Sequence, residues 1–327
     1  LGCHGVSSAR RLEIASRERT APRLSGRGAK RYRRAVVSVP AEPLVSVVVP
    51  TADRPSLVAR AVRSVLAQTL HEIEVVVVVD GPDPATTRAL AEVVDPRLRV
   101  VELPRRHGVG GARNAGVDAS RAAWVALLDD DDEWLPDKLA LQLAAARASS
   151  HGRPIVSCRF VARDEHGDAI RPRRVADRGE EPSEYLFCQR GLRGGEGVVL
   201  PSTVLAPASL LREVRFRHAR LPYEGSDWVL RALRADGAGI EFVSDTRPLA
   251  IFHGEDARPR MSNAGDWRAA LDWADASRDL LTPRAYAAVL LIRASLEARR
   301  ARDRRGLGIL LRTAFRQGRP TAASLAA

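Results

Sequence analysis

The sequence predicts an α/β protein: a mostly parallel, doubly wound sheet flanked by helices, followed by C-terminal amphipathic helices. Three observations lead there. Two runs, LVSVVVP (44–50) and EVVVVVD (74–80), are continuous, β-branched and of strand length, the pattern of strands covered on both faces. Helix-like stretches alternate with the strand-like ones, as a parallel sheet with crossover helices requires. The 327 residues, 45% hydrophobic, suffice for a sizeable core in one large or two small domains.

Each element has its own signal. Shorter strands are expected at Arg99–Leu103 and Trp124–Leu128, and helices at Pro55–Ala67, Pro84–Val94 and Gly111–Ser120, the first two opening on the proline that suits a first helical turn. LPDKLALQLAAARA gives a further helix opening with Pro136. PIVSCRFVARDEHGDAIR reads as two strands joined at His166-Gly167-Asp168, and the Gly-, Arg- and Glu-rich stretch through Gly197 reads as loop. SDWVLRALRADG gives a helix, EFVSD a strand, and the segments 284–300 and 307–317 two arginine-faced amphipathic helices. The expected organisation is a poorly ordered or helical basic extension and linker (1–42), a first α/β half (43–150), a second half (151–260) and a basic helical region (261–327).

Charge and cysteine content narrow the function. The net charge is +12, but residues 1–34 and 284–327 each carry ten basic and two acidic residues, so the body between them is net −4. A protein gripping nucleic acid would carry its basic residues on the folded body, so no nucleic-acid partner is expected; the basic ends instead suit an anionic membrane surface. Only Lys30 and Lys138 among the 52 basic residues are lysine, an arginine bias that genome composition also explains. Cys3, Cys158 and Cys188 are too few and too scattered for a disulfide framework or zinc site. With no signal-peptide core and no apolar run long enough to span a bilayer, a cytoplasmic setting is expected, with peripheral attachment at the inner membrane face.

Ligands of open α/β sheets bind beyond the carboxyl ends of the strands. The polar residues at those ends are Thr51 and Asp53, Asp80 and Asp83, Arg105–His107, and Asp129–Asp132. Four adjacent carboxylates repel unless a cation or hydrogen-bond donors compensate. An oxygen-only cluster suits Mg2+ or Mn2+, which takes one or two carboxylates and completes its shell with water and phosphate. The competing reading is a solvated turn or helix start, with Asp132 and Asp137 as its natural members. HGVGGARNAG (107–116) matches neither a dinucleotide fingerprint nor a P-loop. As a tight loop before a helix it would carry backbone N–H groups and Arg113 toward an anion.

Assembled, VSVVVPTADRPSLVARAVRSVLAQ, EVVVVVDGPD and GVGGARNAGVDASRAAWVALLDDDDEWLPDKL resemble the nucleotide-sugar domain of family 2 glycosyltransferases, firmly over 45–146 and more loosely over 201–253. The resemblance implies the GT-A fold and an inverting, metal-dependent transfer of sugar from a nucleotide-diphospho-sugar to a hydroxyl of a glycan, lipid or small molecule. It implies Asp131 as metal ligand, Asp129 and Asp130 beside the ribose and diphosphate, Thr51, Asp53 and Asp80 as nucleoside-binding positions, and Arg113 as the arginine of the glycine segment. Ala52-Asp53 and Val79-Asp80 depart from the family's usual Tyr-Asn and paired acids. YEGSDWVLRAL resembles the acceptor-side Glu-Asp-Trp motif, with Ser226 in place of the glutamate; Asp227 is then the expected catalytic base, with Glu224 as rival and a helix N-cap as the competing role for Asp227. His253, after a strand, is a second metal candidate, against a structural role. A nucleotidyltransferase would show a glycine-rich basic loop where this chain has PTADRP; the other alternative is a sugar-nucleotide-binding or membrane-associated scaffold without catalysis.

Overall fold

A computed structural model describes residues 42–191, 196–217, 221–254 and 266–326. The basic extension expected over 1–42 lies outside these except for Glu42. Among the described residues, the first half runs β1 (Val45–Thr51), α1 (Pro55–Leu66), β2 (Ile73–Val79), α2 (Pro84–Ala91), β3 (Leu98–Glu102), α3 (Gly108–Ala119) and β4 (Trp124–Leu127). The first half ends with β5 (Glu133–Trp134) and α4 (Lys138–Ala148), and the second begins β6 (Arg153–Ser157), β7 (Phe160–Asp164), β8 (Gly167–Arg171) and α5 (Pro182–Phe187). It continues β9 (Leu205–Pro207), α6 (Ala208–Glu213), α7 (Glu224–Ala232), β10 (Ala238–Phe242) and β11 (Ala250–His253). The C-terminal helices are α8 (Trp267–Ala276), α9 (Pro283–Ala288), α10 (Ser295–Arg300), α11 (Arg304–Gln317) and α12 (Ala322–Ala326).

Seven strands form one sheet in the order β10-β6-β9-β4-β1-β2-β3. β1 pairs in parallel with β2 and β4, and β2 with β3; only β9 runs antiparallel, between β4 and β6. The sheet therefore joins both halves of the chain. Every residue of β1 and β2 is buried. Alternate side chains of β1 enter different cores: Val48 packs with Val117, Val125 and Leu127 on the α3 side, whereas Val47 and Val49 pack with Val58 and Val62 of α1. A second sheet, β5-β11-β7-β8, stands beside the first.

The structure differs from the sequence expectations in four places. First, α3 starts at Gly108, three residues early, because the Asp80 carboxylate accepts the His107 and Gly108 N–H groups at 2.7 and 2.9 Å and caps the helix. Second, α4 starts at Lys138 and not at Pro136, since the Leu135 N–H is drawn to the Leu249 carbonyl. Third, the segment 154–171 breaks at Cys158-Arg159, giving one strand to the large sheet and a hairpin to the small one, with its turn at Glu165-His166. Fourth, the stretch read as loop contains α5, whose Tyr185, Leu186 and Phe187 enter the α3-side core.

Helices α9 and α10 form one continuous helix through a π turn at Val289–Ala294. Its Tyr286, Leu290 and Leu291 are buried in the same core, so this first C-terminal helix packs on the body and is not a membrane face. Leu310 of α11 is also buried, whereas Phe315 is exposed. No helix among the described residues is long and apolar enough to cross a membrane.

Candidate active site

The carboxyl ends of β1, β2 and β4 converge, and the four aspartates after β4 are divided among different partners. Asp129 accepts from the Arg113 guanidinium at 2.6 Å. Asp130 accepts from Thr51 Oγ1 at 2.7 Å and Arg54 Nη1 at 2.8 Å. Asp131 shares the same Arg54 nitrogen at 3.2 Å, and its carbonyl accepts from Arg60 at 2.7 Å. Asp132 is buried and accepts from Ser202 Oγ at 2.5 Å, while the same hydroxyl oxygen accepts from the Asp129 N–H at 3.1 Å. The turn is thus stitched to α1, α3 and the 3₁₀ turn at Pro201–Thr203.

Burial sets the electrostatics of the turn. It raises Asp130 to about 6 against the opposing pull of Arg54 and Thr51, and holds Asp132 well above the usual carboxylate range, reinforced by the charges of Asp129 and Asp131. Asp132, expected in the turn toward Pro136, is instead a buried anchor beneath it, 1% exposed.

The nucleoside-side candidates are placed by backbone geometry. Asp53 adopts φ 55, a left-handed conformation that an L-residue holds only when its surroundings fix it. Here its N–H donates to Asp83 Oδ2 at 2.7 Å and its carboxylate pairs with Arg106 at 2.6 Å. Asp83 also caps α2. Asp80 spends both oxygens on the start of α3, so the first N–H groups of the glycine segment, expected to face an anion, already have a carboxylate partner. Close packing fixes α3 itself: a Cβ on Gly116 would stand 2.3 Å from Val48 Cγ1, and one on Gly110 would stand 2.3 Å from the Arg217 carbonyl oxygen. Only glycine permits both approaches.

The acceptor-side carboxylates separate in an unexpected way. Asp227 is fully buried inside the first turn of α7. It accepts from Arg231 at 2.9 Å and Trp273 Nε1 at 3.1 Å, with Arg217 at 3.4 Å. Those partners occupy both of its oxygens, and its charge reaches Glu224. Glu224, one turn earlier, reaches Arg113 at 3.1 Å, and Arg113 in turn holds Asp129. Burial raises Glu224, against the pull of Arg113 and with a further push from Asp129. Its Oε1 is buried without a hydrogen-bond partner. Tyr223, immediately before it, has φ 59, a conformation costly for a bulky residue and concentrated at functional sites.

A hard divalent ion suits the oxygens of this turn, and the buried Asp132 Oδ1 has no hydrogen-bond partner. Among the described residues, however, no three His, Cys, Asp or Glu side chains gather as a complete ligand set. Arg54 bridges Asp130 and Asp131 where a cation is wanted. His253, the second metal candidate, is buried at the end of β11 with Nε2 2.7 Å from Glu133 Oε1. The residues fit a metal only in the Mg2+-like manner, with one or two carboxylates and the remaining ligands from substrate and water.

Arg54 and Ser202 join the site without having been expected there, whereas Arg106 belongs to the strand-end group Arg105–His107. Arg54 lies in the ADRP segment between Asp53 and the helix-opening proline, a visible signal; Ser202, 73 residues from Asp129, gives none.

Comparisons with known proteins agree with this geometry. The family model "Glycosyl transferase family 2" matches residues 46–214. The succinoglycan biosynthesis protein ExoO of Rhizobium meliloti is 43% identical over 107 residues, 33% of this chain and 31% of that protein. The amylovoran biosynthesis glycosyltransferase AmsB of Erwinia amylovora is 27% identical over 249 residues, 73% of this chain and 79% of the relative. The crystal structure of S. aureus TarS 1-349 in complex with UDP-GlcNAc superposes with TM-score 0.53 at 20% identity, covering 84% of this chain and 73% of that one. The mostly parallel sheet between helices is thus the GT-A arrangement. Because the family match spans more than half of the chain, from β1 through the acidic turn to the end of α6, this protein belongs to glycosyl transferase family 2.

Proposed function

We propose that this chain moves a sugar, with inversion, from a nucleotide-diphospho-sugar to a hydroxyl of a growing surface glycan or its lipid-linked precursor, with Glu224 as the catalytic base. One observation carries the reading: Arg113 holds Asp129 on the donor side and Glu224 on the acceptor side at once. The donor half is assigned to 43–150 and the acceptor half to 151–260. The relatives' names support the glycan setting, since they act in succinoglycan and amylovoran biosynthesis, and the UDP-GlcNAc bound to TarS makes UDP-sugars the first donors to test. We place the reaction on the cytoplasmic side, consistent with the free thiols of Cys158 and Cys188.

In this reading Thr51, Asp53, Asp129 and Asp130 line the nucleoside and diphosphate. Asp80 acts through α3, whose start it fixes, rather than by touching the base. Asp131, with substrate oxygens, would hold Mg2+ or Mn2+; that ion would neutralise charge on the departing diphosphate. His253 positions the turn through Glu133. The acceptor oxygen attacks the anomeric carbon as the bond to the diphosphate oxygen breaks, and the hydroxyl proton passes to Glu224. Burial suits Glu224 to this task, because a raised carboxylate is a stronger base once deprotonated. Arg113 orients Glu224 and stabilises its ionised form.

The test is a panel of nucleotide sugars scored for thermal stabilisation with and without Mg2+ or Mn2+, since a ligand bound only by the native state raises Tm. At least one should raise Tm in a metal-dependent manner, and Asp131→Asn should remove the metal-dependent part. Absence of any response across the panel overturns the donor assignment.

A further inference from the structure

Helix α11 presents a face that the transfer reaction does not use. Gly306, Leu310 and Ala314 fix its inner side against the body, and a Cβ on Gly306 would stand 2.6 Å from the Trp267 ring, so the helix is seated closely. The outer side exposes Ile309, Leu311 and Phe315 at 47%, 47% and 57%. Arg304, Arg305, Arg312 and Arg316 are exposed with them. At 100° per residue these seven occupy one arc, with arginines interleaved among the apolar side chains. The helix holds no acidic residue, and Asp303, at its start, is committed to capping through the Gly306 N–H at 2.8 Å. None of the four arginines has an ion-pair partner among the described residues.

We propose that this face docks on an anionic lipid bilayer. Charge excludes the other occupants. A second copy would bring the same arginines against themselves. Nucleic acid would satisfy the arginines but leave Leu311, Phe315 and Ile309 in water. A bilayer with acidic headgroups takes both: the apolar side chains enter the acyl boundary while the arginines extend to the phosphates. The body between the basic ends, net −4, is repelled by the same surface, so α11 turns toward the lipid and the body away. The inference does not depend on which residue is the catalytic base.

The test is flotation of the full chain with vesicles of phosphatidylcholine alone or mixed with phosphatidylglycerol. Binding is expected only to the mixed vesicles, with loss at about 0.5 M salt, where the screening length is a few ångströms. Arg312→Glu/Arg316→Glu should weaken partitioning by at least about thirtyfold, two surface arginines' worth, and Leu311→Ser/Phe315→Ser should weaken it while leaving the salt dependence. These positions are exposed, so Tm should stay at the wild-type value, confirming that the variants fold. Equal flotation with both vesicle types, or flotation unchanged by the arginine reversals, overturns the proposal. So does tight binding to a duplex oligonucleotide that ignores the Leu311/Phe315 change and exceeds the binding to lipid.

Discussion

The acidic turn after β4 and the first turn of α7 handle closely spaced carboxylates in opposite ways. In the turn, four adjacent aspartates diverge: two pair with Arg54, one pairs with Arg113, and one is buried against Ser202. In α7, two acids three residues apart lie on neighbouring rows of a helix, yet one pairs with Arg113 and the other is enclosed by Arg231, Arg217 and Trp273. Adjacency along the chain therefore says little about shared chemistry. Partners from distant segments decide how each carboxylate is held.

That contrast can be broken most directly at α7. Glu224→Gln is expected to lower kcat by about 10²–10⁴-fold while nucleotide-sugar binding persists. Asp227→Asn should retain most turnover and instead lower stability by about 1–3 kcal/mol through its buried hydrogen bonds. Turnover abolished in Asp227→Asn at unchanged Tm would restore Asp227 as the base and end the contrast.

Arg113 links the two regions. Arg113→Met leaves Asp129 and Glu224 without their shared cation, and loss of one partner of a buried pair costs about 3–5 kcal/mol. Urea unfolding should report that loss, and Arg113→Lys should recover only part of it, because a single ammonium cannot reach both carboxylates as a guanidinium does. Equal stability of Arg113→Met and wild type would mean the bridge contributes nothing.

Lys138 extends the comparison to a cation with no carboxylate partner. It is buried against the Trp134 ring at 3.7 Å and donates to Gln142 at 2.6 Å, and burial lowers it to about 8. The folded state releases this proton before the unfolded chain does, so stability should rise with pH between about 8 and 10.5, by about 3 kcal/mol at most. Lys138→Met should flatten that rise in pH-dependent unfolding; an unchanged slope would show that Lys138 is not its source.

The smallest effect concerns the cap. Asp80→Asn keeps one acceptor for the two N–H groups at the start of α3 and should cost about 1 kcal/mol, read as a modest fall in Tm with donor affinity reduced only as α3 loosens. A full loss of donor binding at native Tm would instead return Asp80 to direct contact with the nucleoside.

The parallel sheet was legible because β1 and β2 are buried on both faces, which selects β-branched and apolar side chains at every position but the hydrogen-bonded Ser46 and Glu74. The convergence of Thr51, Asp80 and Asp129 was equally legible, since strand ends in a parallel sheet share one edge. β9 was not: three residues are too few for any periodicity, and its place between β4 and β6 depends on pairing across the two halves. Nor were Ser202 beneath the turn and Arg113 between Asp129 and Glu224, which are contacts between residues far apart in the chain.

The amino-acid sequence by itself determined the sheet, the edge where Thr51, Asp80 and Asp129 gather, the acidic turn and the family, because these rest on local propensity, hydrophobic pattern and short spacings. Only the tertiary structure decided which acids of each cluster are buried, which arginine holds each one, and which face of α11 stays open. Those outcomes turn on desolvation and on partners brought together by packing, and both are properties of the folded chain.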